Sequence, residues 1–173
     1  DWLYLAETHQ LTRQKFTQGE IKPTAKAEVL ATFPDYGLSY KYGGWHLTRT
    51  IAVGGNGKIY VSVGSSCNAC TEKEKVRATV LEMNPDGSQQ KIFATGLRNA
   101  VGLKWVGNFL FATNQGVDHL GKNKPDETFY ALKRDADYGW ASCYSSNGKI
   151  LADPKFKRPS GCKNVLPPYA YFP

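Results

Sequence analysis

The fold is indicated first by residues 58–63, KIYVSV, an apolar and aromatic run that is typical of a buried β-strand. Two further runs resemble it: residues 2–7, WLYLAE, and residues 108–113, NFLFAT. The three runs begin at residues 2, 58 and 108, so they repeat at intervals of 56 and 50 residues. An interval of this length exceeds a single hairpin and favours a repeating unit of four strands.

Each run has neighbours that complete such a unit. Strand-like runs precede the second and third copies, at residues 47–53 and 100–105, and follow all three copies, at residues 11–16, 79–83 and 128–133. A fourth run closes each of the first two units, at residues 27–33 and 90–95. The turn sequence NPDG at residues 84–87 separates two of them. Because no long segment with helical periodicity interrupts the series, we expect helix to be a minor component.

Four-stranded units at this interval favour propeller blades. We therefore predict an all-β fold, a partial β-propeller of about three blades near residues 2–34, 47–95 and 100–140, within a single domain. Residues 141–173 are expected to form a disulfide-linked loop and the start of a further segment. Closed propellers have ~4–8 blades, so we expect a fragment of a longer chain or a half that self-associates through exposed blade edges. A single irregular β domain without a ring is the alternative.

Charge and hydropathy exclude two classes of partner. The 173 residues include 22 Lys and Arg against 15 Asp and Glu, a net charge of +7. These basic residues are scattered along the chain and accompany no nucleic-acid-binding motif, so we predict a solvated surface and no nucleic-acid partner. No apolar run approaches the ~20 residues that a spanning helix needs, so we predict no membrane span.

The four cysteines lie at positions 67, 70, 143 and 162. A zinc site would need a second close pair, and a thioredoxin-like site would need a helix after the CxxC motif, where this sequence is loop-like. We favour two disulfides, Cys67–Cys70 and Cys143–Cys162, although four cysteines allow three pairings. Disulfides predict an oxidising compartment, and hence a periplasmic or secreted protein.

Several motifs follow one another in a familiar order. They are His46 ahead of GKIY at 57–60, FATGLRNAVGL at 93–103, NQGV at 114–117 with PDE at 125–127, and DYGW at 137–140. In this order and spacing the chain resembles the soluble glucose/sorbosone dehydrogenase family, quinoproteins that use pyrroloquinoline quinone (PQQ) and calcium. GSSCNAC at 64–70 resembles the sorbosone-type branch. The resemblance implies a six-bladed propeller of which this chain is a part.

The resemblance also implies a chemistry: part of a dehydrogenase that oxidises an aldose or similar sugar at C1, by base-assisted hydride transfer to the quinone. The sugar and an electron acceptor would be its partners. His46 would be the base, since the ordinary pKa of a histidine side chain lies near neutrality. Arg98 and Asn99 would bind PQQ, which carries three carboxylates. The carbonyls of Gly116 and Val117 would bind calcium, with Asp126 in support.

The sequence departs from the family pattern at Ala100 and Val117, where proline is usual. The family supplies further PQQ-binding cations from later blades, so we expect this stretch alone to be inactive. One alternative is a carbohydrate- or protein-binding propeller module that has lost the cofactor, and another is a structural half-propeller. His46 and Arg98 would then be ordinary surface side chains, and the acidic residues near position 120 a solvated loop.

Overall fold

The structure is a computed structural model, and it describes residues 1–35, 44–157 and 161–173. These residues form β-strands and loops, and none of them is helical. The strands are β1 (Trp2–Ala6), β2 (Gln10–Lys15), β3 (Glu28–Thr32), β4 (Ile51–Val53), β5 (Ile59–Val63), β6 (Thr79–Met83), β7 (Lys91–Thr95), β8 (Leu103–Val106), β9 (Phe109–Asn114), β10 (Glu127–Leu132), β11 (Ala136–Asp137), β12 (Cys143–Ser146), β13 (Lys149–Ala152) and β14 (Ala170–Phe172).

The strands form three larger sheets and one hairpin, and none of the sheets closes on itself. The first sheet has the order β1-β2-β3, the second β11-β7-β6-β5-β4, and the third β14-β10-β9-β8. Strands β12 and β13 pair only with each other among the described residues. The prediction of an all-β, partial β-propeller fold is confirmed.

The second sheet is the core of the molecule, because both of its faces are covered. Every residue of β5 and β6 is buried. Ile59 and Val61 face a cluster that includes Leu11 of the first sheet. Tyr60, which points to the opposite face, packs in a cluster with Leu110 of the third sheet. Burial on both faces explains why KIYVSV is apolar almost throughout, since alternating apolar and polar residues indicate a strand with one solvent-exposed face.

Long-range pairing completes the second and third sheets. Strand β11 lies parallel to β7, with Ala136 opposite Ala94. Strand β14, from near the end of the chain, pairs antiparallel with β10 and is the fourth strand of the third sheet. Within the segment 141–173, residues 158–160 lie outside the described part of the chain.

Both predicted disulfides are present. Cys67–Cys70 closes a four-residue loop with a Cα–Cα distance of 6.2 Å. Cys143–Cys162 ties the start of β12 to the loop before β14, with a Cα–Cα distance of 6.0 Å. The two bonds agree with the favoured pairing.

Across the ranges 1–35, 44–157 and 161–173, the chain contains no helix with the length and apolarity to cross a lipid bilayer.

Candidate functional site

Three of the predicted site residues, His46, Arg98 and Gly116, line one cavity of about 320 Å³. They come from separate loops: His46 precedes β4, Arg98 follows β7 and Gly116 follows β9. The remaining wall of this space, which we call the His46 cavity, is formed by Trp45, Gln115, Asp118 and Glu127. Its volume falls within the range of small-molecule sites, which is roughly 300–1,000 Å³.

The backbone at His46 is held in an unusual conformation. Its φ is 47°, in the left-handed region that non-glycine residues rarely adopt. Gly64 packs directly beneath it, so that a Cβ at position 64 would collide with the Cβ of His46 and reach 2.9 Å from Asn99 Oδ1. A side chain larger than hydrogen at this position would therefore separate two of the predicted site residues.

His46 is a neutral imidazole in the folded chain. Its Nδ1 lies 3.1 Å from the carbonyl oxygen of Ser65 and 2.9 Å from Ser65 Oγ. Because a carbonyl only accepts, Nδ1 must carry the proton, and the lone pair of the neutral ring is on Nε2. Burial, followed by the positive charge of Arg98, lowers the pKa of His46 from 6.5 to about 4.

Arg98 is almost fully buried, with 4% of its surface exposed. Its Nε donates to the carbonyl of Asn68 at 3.0 Å, and Nη2 donates to Asn68 Oδ1 at 2.9 Å and to Asp118 Oδ2 at 2.8 Å. Within the described part of the chain, Nη1 has no hydrogen-bond partner. Burial lowers the pKa of Arg98, and Asp118 opposes that shift, so the guanidinium stays charged.

Asn99 lies next to the cavity wall. Its Nδ2 donates to Gln115 Oε1 at 2.6 Å, and its backbone amide donates to Asn114 Oδ1 at 3.0 Å. The backbone amide of Gln115 donates in return to the carbonyl of Asn99 at 3.1 Å. These bonds join the loop after β7 to the loop after β9, so the side chain of Asn99 positions Gln115, which lines the cavity.

The loop after β9 offers oxygen ligands. No described residue donates a hydrogen bond to the carbonyl of Gly116 or to that of Val117. The amide of Gly116 lies 3.3 Å from a carboxylate oxygen of Glu127, which is therefore close to the same loop. Burial raises the pKa of Glu127, and the Gly116 amide and Arg98 oppose that shift. Val117 is buried, whereas Gly116 faces both the His46 cavity and a smaller space of about 30 Å³.

Asp126 is 2% exposed and does not line the His46 cavity, but it lines the smaller space of about 30 Å³ together with Gly116 and Val117. Its carboxylate accepts hydrogen bonds from Ser145 Oγ at 2.7 Å and from the amides of Asn147 and Gly148 at 3.0 and 2.9 Å. These bonds fasten the β12–β13 hairpin to the start of β10. Any support that Asp126 gives to a metal at Gly116 would thus be indirect.

Sequence reasoning missed three residues that shape this site. Asp118, whose side chain is 72% exposed, pairs with Arg98 instead of standing free in solvent. Ser65 orients His46, and Asn68 holds Arg98. The positions of Ser65 and Asn68 in GSSCNAC gave one usable signal, since a loop closed by a disulfide holds its backbone and side chains in place.

The chain was compared with protein families, with curated proteins and with solved structures. No family model matches the chain. An uncharacterised protein of Borreliella burgdorferi is 31% identical over 153 residues, which are 86% of this chain and 39% of that protein. Among solved structures, the calcium form of a Trichoderma reesei carbohydrate-active enzyme of family AA12 matches with a TM-score of 0.82 and 14% identity. That match covers 98% of this chain and 52% of the enzyme.

Two bacterial enzymes share the same architecture. The PQQ-bound aldose sugar dehydrogenase of Streptomyces coelicolor matches with a TM-score of 0.63 and 18% identity, over 99% of this chain and 48% of that one. The apo form of the soluble aldose sugar dehydrogenase of Escherichia coli matches with a TM-score of 0.67 and 16% identity, over 98% and 53%. The chain therefore has the partial β-propeller fold that these structures share. It spans about half the length of these structures.

Proposed function

We propose that this chain forms about half of a PQQ- and calcium-dependent sugar dehydrogenase that oxidises an aldose, of glucose or sorbosone type, at C1. The observation that carries the proposal is the meeting of His46, Arg98 and Gly116 at one cavity. These residues lie up to 70 positions apart in the sequence, and each stands in a motif that resembles the glucose/sorbosone dehydrogenase family. The shared fold supports the proposal.

The cavity fits an anionic cofactor through Arg98. A buried guanidinium with one nitrogen unpartnered among the described residues is suited to a carboxylate, because arginine binds such groups with charge-assisted hydrogen bonds. Asn99 would bind alongside it, with the second hydrogen of its Nδ2. Bound PQQ would supply a hydride acceptor, which a calcium ion would polarise.

The residues also fit a calcium ion. Calcium takes oxygen ligands, including backbone carbonyls, and the carbonyls of Gly116 and Val117 are available. The carboxylate of Glu127 lies beside the same loop. A cation there would reverse the effect of burial on Glu127 and favour its charged form. Asp126 would contribute by fixing the hairpin behind the loop.

His46 would act as the proton acceptor. Its Nδ1–H is committed to Ser65, which leaves the Nε2 lone pair for the hydroxyl proton of a sugar. The low pKa of His46 arises partly from Arg98. An anionic guest on Arg98 would offset that charge and raise the pKa towards neutrality, where a base is most effective. The proposed base would thus be strengthened only when the cofactor is in place.

The test uses the full-length polypeptide that carries this chain, reconstituted with PQQ and calcium. We expect dye reduction with at least one aldose and a change in PQQ absorbance on binding. The variant H46Q should retain the absorbance change and lose turnover by about a hundredfold or more, as expected for a general base. No reduction with any sugar, together with no absorbance change, would leave a cofactor-free carbohydrate- or protein-binding module as the better explanation.

We also infer that the protein works in an oxidising compartment, the periplasm or the outside of the cell. The two disulfides support this location. Thiol alkylation in intact cells should label none of the four cysteines, and complete labelling would contradict it.

Exposed apolar side chains support self-association of the isolated chain. Phe109, Phe172 and Val106 are 61, 59 and 56% exposed on the third sheet, whose edge strands are β8 and β14.

A further inference from the structure

Asn68, in the disulfide loop Cys67–Cys70, contacts Arg98, which lines the His46 cavity. The carbonyl of Asn68 accepts from Arg98 Nε at 3.0 Å, and its Oδ1 accepts from Arg98 Nη2 at 2.9 Å. Asn68 therefore accepts two hydrogen bonds from the guanidinium of Arg98, which lies 30 positions further along the chain. Such a pair of bonds fixes both the place and the plane of an arginine fork.

The same two oxygens of Asn68 also accept hydrogen bonds from two residues of neighbouring loops, Asp118 and Trp140. The backbone amide of Asp118 donates to Asn68 Oδ1 at 3.0 Å. Trp140 Nε1 donates to the carbonyl of Asn68 at 3.1 Å. Asn68 thus accepts four hydrogen bonds and connects the loops after β7, β9 and β11.

Asn68 can serve as this junction because its own loop is restrained at every residue. The disulfide joins Cys67, immediately before Asn68, to Cys70, two residues after it. The carbonyl of Cys67 accepts from Ser65 Oγ at 2.7 Å, and the carbonyl of Ala69 accepts from Lys155 Nζ at 3.0 Å. Since Ser65 also contacts His46 Nδ1, the disulfide loop reaches both the proposed base and the proposed cofactor-binding cation.

A metal site is the other chemistry that this loop could suggest, because the ligand atoms of Cys67, Cys70 and Glu72 lie within 4.8 Å of one another. The two sulfurs are joined to each other and offer no thiolate. Both oxygens of Glu72 accept hydrogen bonds from Ser66 at 2.6 Å. The contacts of the loop therefore favour a positioning role.

We propose that Asn68, locked in place by the Cys67–Cys70 disulfide, is the positioning residue that presents Arg98 to a polycarboxylate cofactor in the His46 cavity. This inference rests on the proposed function. Asn68 touches neither cofactor nor substrate in this scheme. It keeps the guanidinium oriented before the ligand arrives, so that binding does not have to pay for ordering it.

The test is a double-mutant cycle on the full-length polypeptide, with the dissociation constant of PQQ as the readout. We expect N68A to weaken PQQ binding by about tenfold, as loss of an oriented charge-assisted bond predicts. In the R98A background, N68A should change the affinity by less than about twofold, because its effect passes through Arg98. Equal effects of N68A with and without Arg98 would overturn the proposal.

The disulfide is tested in the same assay. C67S/C70S should weaken PQQ binding about as much as N68A does, roughly tenfold. The variant C143S/C162S opens the other disulfide and should leave the affinity within about twofold even if the melting temperature falls. N123A removes an exposed asparagine side chain that bonds to no described residue, and should change nothing. If the two cysteine pairs weaken binding equally, the role assigned to the 67–70 loop is wrong.

A second readout separates this proposal from the proposed function. The Nε–H resonance of Arg98, assigned by its absence in R98A, should exchange slowly with solvent without any cofactor. N68A and C67S/C70S should each speed that exchange about tenfold, because the guanidinium loses its restraint. If PQQ fails to bind while this change is seen, the cofactor is wrong and the positioning of Arg98 by Asn68 stands. Unchanged exchange in both variants would overturn the positioning itself.

Discussion

At the residue scale, His46 makes the free energy of unfolding depend on pH. Burial and the charge of Arg98 lower its pKa from 6.5 to about 4. The unfolded chain therefore takes up a proton at this side chain at a higher pH than the folded chain does. This contribution to the free energy of unfolding is fully present above pH 6.5 and is lost progressively as the pH falls towards about 4.

Urea unfolding of the wild type and H46Q, from neutral pH down to pH 4, measures this contribution. We expect the difference in unfolding free energy between the two proteins to narrow as the solution becomes more acidic, because only the wild type carries this titration. A difference that stays constant with pH would mean that His46 titrates normally in the folded chain.

Gly64 gives a second prediction at this scale. G64A places a methyl group against His46 and 2.9 Å from Asn99 Oδ1, so we expect His46 to shift and turnover by the reconstituted enzyme to fall by about a hundredfold. The matched control is G55A, since a Cβ at Gly55 meets no atom within 4 Å. Its turnover should equal that of the wild type. Full activity of G64A would mean that the contact is relieved without moving His46.

At the scale of elements, Asp126 joins a hairpin to a sheet. D126A removes the acceptor of the Ser145, Asn147 and Gly148 bonds and leaves the buried Ser145 hydroxyl and two partly buried amides without this partner. We expect a loss of about 2–3 kcal/mol in unfolding free energy, measured by urea denaturation. D86A removes a carboxylate from an exposed turn and should cost less. If D126A lowers calcium affinity without lowering stability, Asp126 is a metal ligand.

The strands differ in how far local pattern could predict them. Strand β6 has the predicted bounds, and most other strands lie within a few residues of the predicted runs, because their apolar periodicity is local information. Strands β11 to β14 escaped prediction, and the β12–β13 hairpin lies in the segment 141–173 that was predicted to be a loop. Strands β11 and β14 have only two and three residues, and each is stabilised by a partner, β7 or β10, that is more than 35 positions away.

The candidate site also has residues that local sequence predicts and residues that it does not. His46, Arg98 and Gly116 belong to motifs that resemble a family, and this resemblance suggested that they lie together. Asn68 and Ser65 act through hydrogen bonds between loops. Those bonds depend on how the sheets are arranged in space, and no local pattern of residues records that arrangement.

At the scale of the whole molecule, the third sheet exposes apolar side chains, and solution experiments can detect the effect of that exposure. Phe109 and Phe172 are both more than half exposed on the third sheet. We expect the 19.2 kDa chain, studied alone by sedimentation, to associate as its concentration rises. F109S/F172S should shift it towards the monomer, while V53S, at a similarly exposed position on the second sheet, should have less effect. A monomer at every concentration would contradict self-association.

The doubly covered second sheet has a consequence for biosynthesis. Its neighbours on both sides, the sheets that supply Leu11 and Leu110, are encoded within the same 173 residues. Once the ribosome has delivered these residues, the apolar partners that the two clusters place on the faces of the central sheet are all present. Translation of any later blades would then add to a core that is already assembled, and the growing polypeptide would not have to await its last residue to become resistant to proteases.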